Sequence, residues 1–311
     1  MRFIREFSEL GRQDTAIAGG KGASLGEMTK AGIPVPPGFV ILANAFDEFL
    51  EMAKIRDKIQ ALLSKIDHNK TGQVEKVSRR IQAVISGPQI PEAIATETRM
   101  AFKQLKTKYV AVRSSATAED SKKAAWAGQL QSFLYTTEAT LPCNVKKCWA
   151  SLYSPRAIFY RFEKMLEKKK ISVAVVVQKM INSEVAGVAF SVHPVTKDRN
   201  TMIIEAGFGL GEAVVSGQIT PDSYVVDKKK LTIIDKTVSR QERQLVRASK
   251  GGAVWKKADH PEKTKLTEKQ IIQLARLVIK IEKHYGFAVD IEWAIEKGKI
   301  YITQSRPITT L

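Results

Sequence analysis

Cysteine is scarce in this chain. Cys143 and Cys148 are the two in 311 residues, which excludes a disulfide-built scaffold, and neither stands near histidine at a metal-ligand spacing. Both are expected as reduced thiols. Histidine is little commoner: His68, His193, His260 and His284 are isolated, in settings that suit neither zinc nor nucleophilic catalysis, and read as structural or surface residues. Long apolar runs are missing too, the longest, Val173 to Val177, being strand-length against the roughly 18 residues of a membrane span. The N-terminus, Met1-Arg-Phe-Ile-Arg-Glu-Phe7, meets charge at once and carries no apolar signal core, so a cytoplasmic location without membrane attachment is expected.

Negative charge is also in deficit, with 32 Asp and Glu against 50 Lys and Arg and a formal net charge of +18. A field of that size draws polyanions. Its distribution argues against a dedicated nucleic-acid groove, because Lys168 to Lys170, Lys228 to Lys230, and Lys256 with Lys257 are short clusters at helix ends and turns, as on a solvated surface. What the chain has in quantity is apolar residue, 44% with Gly and Pro not in excess, a globular composition with length enough for a large core. No repeat, low-complexity segment or linker divides it. The expected organisation is one domain over residues 1–311 in two lobes, roughly 1–180 and 181–311.

Apolar periodicity predicts helices over 45–63 and 74–85, another opened by Pro91 and running to about Lys106, and others near 138–150 and 155–167. A final helix runs from Thr267, a possible cap, to His284. Strands are expected at 39–42, 109–112, 173–177, 186–191 and 202–205, with a hairpin over 224–234. Helices dominate the first third and strands come later, which indicates α+β rather than regular βαβ winding.

Two glycine-rich segments invite comparison with phosphate loops, and both fail it. Gly20-Lys21 is followed by Gly22 where a P-loop needs Ser or Thr, and position 15 is Thr where it needs Gly. Gly207-Phe-Gly-Leu-Gly211 has its third glycine one residue too early for a dinucleotide fingerprint. What remains is Lys21 at a helix start, where exposed N–H groups and the helix dipole favour anions, or else a plain turn. Arg113 leaves the end of a short strand into Arg113-Ser-Ser-Ala-Thr-Ala-Glu-Asp120, a hydroxyl-dense loop suited to phosphate oxygens; capping a neighbouring helix is its alternative use.

The C-terminal stretch, Val289 to Pro307, reads as a β-hairpin. Asp290 and Glu292 share one face of its first strand, and Gln304 and Arg306 share one face of its second. A three-residue loop, Glu296-Lys297-Gly298, places all four on one side, whereas an even loop separates the pairs. Apolar pairing of Trp293 with Ile302 favours the even register; the chemistry favours the odd one. Glu292 and Gln304 suit the sparse oxygen donation that Mg²⁺ takes from proteins, and Arg306 suits charge spread over a transferring phosphoryl group. A solvated hairpin with ordinary surface charges is the bland alternative.

The motifs gain meaning as an ordered set. Gly19-Gly-Lys-Gly-Ala-Ser-Leu-Gly-Glu-Met28, Ile33-Pro-Val-Pro-Pro-Gly-Phe-Val40, Val112-Arg-Ser-Ser-Ala-Thr-Ala-Glu-Asp120, Ala127-Gly-Gln129, Val177-Gln-Lys-Met180, Gly187-Val-Ala-Phe-Ser191, Glu205-Ala-Gly-Phe-Gly-Leu-Gly-Glu212 and Gln304-Ser-Arg-Pro307 follow one another along the chain. The series resembles the nucleotide-binding domain of the phosphoenolpyruvate synthase and pyruvate phosphate dikinase family, most of all its phosphoenolpyruvate synthase branch. The resemblance covers essentially the whole chain. It implies an ATP-grasp fold whose two α+β lobes clamp ATP and Mg²⁺. By position it implies phosphate contacts from Lys21 and Arg113, a covering loop with Gly128 and Ser132, and Gln178, Met180 and Ile181 along the adenine. Asp290, Glu292, Gln304 and Arg306 match the family's terminal hairpin, with Glu292 and Gln304 as metal ligands and Arg306, with Arg113, in the catalytic set.

The family's reaction, on this resemblance, passes a phosphoryl group from ATP to a histidine on a separate domain and on to pyruvate in a third, leaving AMP and phosphate. That histidine lies in a glycine-rich Thr-Ser-His setting, which none of the four here has. The implied partners are therefore a phosphohistidine domain and a pyruvate-binding domain, in the same or another chain. Rifampicin phosphotransferases and other dikinases share the nucleotide domain, so the acceptor is open, and a noncatalytic nucleotide-binding module is a further alternative. One stretch departs from the family pattern: Ser121-Lys-Lys-Ala-Ala-Trp126 puts Lys122 and Lys123 beside the phosphate loop, where an acidic residue is usual.

Overall fold

Alternating apolar residues in the short strands build two antiparallel sheets, each backed by helices whose apolar stripes repeat every three or four residues. The structure is a computed structural model and describes residues 2–67, 70–117, 131–166, 171–249 and 251–309. The chain divides into two compact units, one of Met1–Glu27 and Pro37–Met180, the other of Met28–Pro36 and Ile181–Leu311. Among the described residues no helix is long and apolar enough to cross a membrane.

The first unit contains β1 (Ile4–Glu6), α1 (Thr15–Lys30, continuing into the second unit), β2 (Gly38–Ile41), α2 (Ala43–Met52), α3 (Arg56–Leu63), α4 (Thr71–Ser86), α5 (Glu92–Gln104), β3 (Val110–Ala116), β4 (Ser132–Thr136), α6 (Leu141–Ser151), α7 (Pro155–Glu163) and β5 (Val173–Lys179). Its five-stranded sheet runs β1-β2-β5-β3-β4, antiparallel throughout. Phe39, Ile41, Val110, Val112, Val173, Val175 and Val177 share the face turned to the main core, where Trp149 stacks on Phe46 and Phe49 at 5.5 and 5.0 Å. Cys148 is buried in this core, and desolvation pushes its thiol up to about 12, an inert group.

The second unit holds β6 (Val185–Phe190), β7 (Thr201–Phe208), α8 (Glu212–Val215), β8 (Asp222–Asp227), β9 (Thr232–Thr237), β10 (Arg243–Arg247), β11 (Ala253–Lys257), α9 (Glu268–Tyr285), β12 (Val289–Glu296) and β13 (Lys299–Pro307). Six strands form one antiparallel sheet, β13-β12-β6-β7-β8-β9, and β10 pairs with β11 as a separate ribbon. Helix α9 starts as expected on Thr267, whose hydroxyl accepts from Gln270 N in a capping box, and it packs on β12 and β7. Pro34 O accepts a bond from Ile302 N on the outer edge of β13, and Pro37 O, back in the first unit, accepts from Lys179 N.

Three sequence expectations change. The helical pattern over 45–63 breaks at Lys54, where φ is 52°, because Ile55 N turns back to Leu50 O and closes α2. Arg113 lies inside β3, not at its end. The strand continues through Ala116 because Ser114 and Ser115 are small and pair with Val175 and Ala174, and the Ser114 hydroxyl is bonded to Gln131 O, Cys148 O and Ser151 Oγ. The ribbon of β10 and β11 was not foreseen, since its short, strongly basic strands carry little apolar alternation.

Candidate functional site

In the first unit, β3 and β5 turn Ala111, Arg113, Val176 and Gln178 to the face opposite the main core. Helix α1 lies against that face. Gly19 allows it to approach: its φ is 68°, and a Cβ there would stand 2.2 Å from Ser115 Oγ and 2.4 Å from Ser115 O. Gly22 N then donates to Ser115 Oγ at 3.3 Å, which fixes the turn carrying Lys21. Ser132 on β4 is the direct cross-strand partner of Arg113. The structure thus brings Lys21, Arg113, Ser132 and Gln178 to one side of one sheet. Gln178 is 2% exposed, and its Nε2 has no hydrogen-bond acceptor among the described residues. Met180 follows β5 and is fixed through its N–H to Tyr109 O. Gly128, Lys122 and Lys123 lie outside the described residues.

In the second unit the terminal hairpin resolves the conflict over register, and not by a three-residue loop. Its turn has two residues, Lys297 and Gly298, both left-handed at φ 50° and 72°, with Glu296 opposite Lys299. Trp293 pairs with Ile302, as apolar matching favours. Between Glu292 and Trp293 the register then shifts, and Thr303 is the extra residue of a β-bulge. Beyond it Glu292 faces Gln304 and Asp290 faces Arg306. The bulge lets an even turn and a shared polar face coexist.

All four polar side chains stand on the sheet face opposite Ile291, Trp293 and Ile302, which are buried. Gln304 Nε2 donates to Glu292 Oε1 at 3.1 Å. Arg306 Nε and Nη2 donate to Asp290 Oδ2 at 2.8 and 2.6 Å. Burial pushes the Asp290 carboxyl up from its ordinary range; the Arg306 guanidinium opposes this and the Glu292 charge adds to it, with the net direction upward.

Three rows cross this face. The first is Tyr301, Ala294, Ala186 and Gly207, where Ile181 packs on Ala186 and Ala294. The second is Gln304, Glu292, Val188, Glu205 and Ser223. The third is Arg306, Asp290, Phe190, Ile203 and Val225. An apolar end, an acidic middle and an ion-paired end follow one another along the strands. Glu205 is the residue that sequence reasoning left without a role; its signal was a lone acid at period two inside the apolar strand Met202 to Ala206. Desolvation, with the Asp290 charge behind it, pushes the Glu205 carboxyl up.

A raised folded pKa means the native state holds its proton more tightly, so this carboxylate destabilises the fold once pH rises above that pKa. Glu205→Gln is therefore expected to raise the thermal midpoint of nucleotide-free protein by about 2 °C at pH 7. The gain should vanish in acid, where wild-type Glu205 is neutral as well. Calorimetry at both pH values checks this, and a gain independent of pH contradicts the assignment.

Two α+β units with antiparallel sheets, one carrying Lys21, Arg113 and Gln178 and the other the acid-amide-guanidinium hairpin, define the class as an α+β nucleotide-binding protein. Within that class, the chain belongs to the family described as "Pyruvate phosphate dikinase, AMP/ATP-binding domain", which it matches over residues 15–311 and whose fold is ATP-grasp-like. It is similar to the "Probable phosphoenolpyruvate synthase" of Methanocaldococcus jannaschii, with 45% identity over 100% of this chain and 27% of the relative. It is 41% identical to the "Phosphoenolpyruvate synthase" of Pyrococcus furiosus, over 100% of this chain and 44% of the relative. A "Rifampicin phosphotransferase" of Bacillus cereus is 35% identical over 99% of this chain and 36% of the relative. The chain thus spans less than half the length of these relatives.

Proposed function

We propose that this chain is the ATP-binding part of a phosphoenolpyruvate synthase-type phosphotransferase. It holds ATP with Mg²⁺ and gives a phosphoryl group to a histidine on another domain, from which pyruvate receives it; ATP, pyruvate and water become AMP, phosphoenolpyruvate and phosphate. The observation that carries this reading is the cross-strand quartet of Asp290 with Arg306 and Glu292 with Gln304 on one sheet face. The higher identity to the two synthases than to the rifampicin enzyme favours pyruvate over other acceptors. A cytoplasmic setting belongs to the same proposal.

The donor set fits Mg²⁺. Glu292 and the Gln304 amide stand side by side, and half a turn of that amide sets its oxygen beside the carboxylate. One carboxylate and one amide are the sparse protein donation of an ion that keeps waters and substrate oxygens in most of its positions. When bound, the ion neutralises phosphate charge. Lys21 and Arg113 supply further cations to the phosphates, Gln178 offers its buried amide to the base together with Met180 and Ile181, and Ser132 stands beside Arg113. Arg306 exchanges its Asp290 partner for a phosphoryl oxygen.

Replacing Glu292 by alanine is expected to weaken ATP binding at least tenfold in the presence of Mg²⁺ and to leave binding in EDTA nearly unchanged. Titration calorimetry in both conditions tests it. Equal Mg-dependent affinity in wild type and variant would remove Glu292 from the metal site.

A further inference from the structure

Ser191, the residue after β6, is fully buried on the sheet face where α9 packs, behind the row of Asp290 and Arg306. In the register of β6 and β12 it falls opposite Val289, the first residue of β12. A regular antiparallel pair at this place exchanges two backbone bonds. One of them forms, Ser191 N donating to Val289 O at 2.9 Å. The other is made by the side chain, with Val289 N donating to Ser191 Oγ at 2.9 Å. The Ser191 carbonyl is thereby released, and it accepts from Lys228 Nζ at 2.9 Å. The same ammonium pairs with Glu282 Oε2 at 2.5 Å, and Glu282 Oε1 accepts from Ser191 Oγ at 3.0 Å. These contacts close a ring through the serine, a glutamate on α9 and a lysine just beyond β8. The lysine and glutamate side chains are 14% and 22% exposed, so salt screens their pairing little.

Ordering two long side chains in one ring costs entropy, and the place of the ring tells what it holds. Val289 precedes Asp290 at the end of β12, where a ladder frays first. Arg306 is one residue from the end of β13, the edge strand, so within the sheet its position is set by β12. The ion-paired row therefore lies at the end of the hairpin most in need of an anchor. The ring supplies one: it ties Val289 by both its N–H and its carbonyl to Ser191, and Ser191 to α9 and to the chain leaving β8. Phosphoryl transfer is sensitive to such anchoring, since a shift of about 1 Å in a group that meets the reacting atoms can cost about 10²-fold in rate.

We infer that Ser191, backed by Glu282 and Lys228, is a positioning residue for Arg306: it pins the start of β12 so that Asp290 presents the guanidinium in one place. This rests on the phosphotransfer reading above. Ser191 lies behind the sheet and acts only through Val289 and Asp290, so it governs the rate of transfer and leaves nucleotide affinity nearly alone.

The test substitutes Ser191→Ala, with circular dichroism as the check on folding. Transfer to a supplied histidine domain, measured by rapid quench at saturating Mg-ATP, should slow by about tenfold or more, while the Mg-ATP dissociation constant moves by less than about threefold. In an Arg306→Ala background the same substitution should cost less than about twofold, because the group it positions is gone. Hydrogen exchange at the Val289 amide, followed by NMR, should rise by about tenfold or more, a readout that needs no transfer. Should the alanine variant not fold, Ser191→Cys, close in size but a weak hydrogen-bonding partner, reads the same split between rate and affinity. A folded variant with an unchanged rate overturns the inference. So does an equal loss in both backgrounds, which would make the ring a support of the whole sheet. An unchanged exchange rate at Val289 sinks the pin alone, whereas a wild type that labels no histidine domain would sink the phosphotransfer reading on which the inference rests.

Discussion

An Arg306→Ala variant is expected to transfer phosphoryl groups to a supplied histidine domain about 10³-fold more slowly than wild type, while its Mg-ATP dissociation constant moves less than tenfold. The difference between the two effects follows from what Arg306 does before substrate arrives. It is already neutralised by Asp290 through two donors to a single carboxylate oxygen, at 2.8 and 2.6 Å. Ground-state phosphate therefore gains little by displacing Asp290. A transferring phosphoryl group, with charge spread over its equatorial oxygens, gains more, and that surplus lowers the barrier. Asp290 itself is 8% exposed, and burial pushes its carboxyl up from the ordinary range. Arg306→Lys should not restore the rate, because a compact ammonium lacks the planar fork of donors that a guanidinium presents to phosphoryl oxygens. Rapid-quench labelling of the histidine domain measures the rate, and calorimetry the affinity. A thousandfold loss of affinity with an unchanged rate on saturation would assign Arg306 to ground-state binding.

Much of this site was legible in the sequence, but the geometry joining its parts was not. Alternation along a strand reveals which residues share a face of that strand, so Asp290 with Glu292 and Gln304 with Arg306 could be paired without coordinates. Whether the two pairs share one side depends on the parity of residues between them, and a bulge changes parity silently. Thr303 is an ordinary strand residue; nothing in its side chain announces that it is the extra one. The wrong loop therefore gave the right face. Arg113 shows the converse error: Arg113-Ser-Ser-Ala116 looks like loop because small hydroxyl residues usually mark turns, yet Ser114 is satisfied by Gln131 O and Cys148 O in a strand paired with β5 along its whole length. Thr267 was found because a capping box is local chemistry. Glu205 was missed because its meaning comes from rows on β12 and β6, far along the chain.

The sheet that carries these rows is held from its other face by a buried charge pair, where the largest loss of stability is expected. Asp222 pairs with Ala206, next to Glu205, and its side chain, like that of Lys265, is fully buried. Asp222 Oδ1 accepts from Lys265 Nζ at 2.8 Å and from Ser239 N at 3.0 Å; Oδ2 accepts from Tyr224 Oη at 2.8 Å and Lys265 N at 2.9 Å. Lys265 Nζ also donates to Ser239 O and stands 5.4 Å from the Phe208 ring centroid. One carboxylate on β8 thus collects four donors, three of which come from two loop segments. Asp222→Ala strands the ammonium and three other donors at once, and is expected to cost about 3–5 kcal/mol and to lower the thermal midpoint of the second unit by about 10 °C. Removing both charges as Asp222→Leu with Lys265→Met ends the uncompensated charge, which for many buried pairs recovers the whole loss. Here it should recover less than half. The Ser239 and Lys265 backbone N–H groups and the Tyr224 hydroxyl would still lack acceptors, at about 1–3 kcal/mol for each that water cannot reach. Urea unfolding of the single and double variants decides between the two outcomes: full recovery would mean that the charge pair, not the backbone it ties down, is the source of the stability, and a loss below about 1 kcal/mol in Asp222→Ala would mean that water replaces the carboxylate.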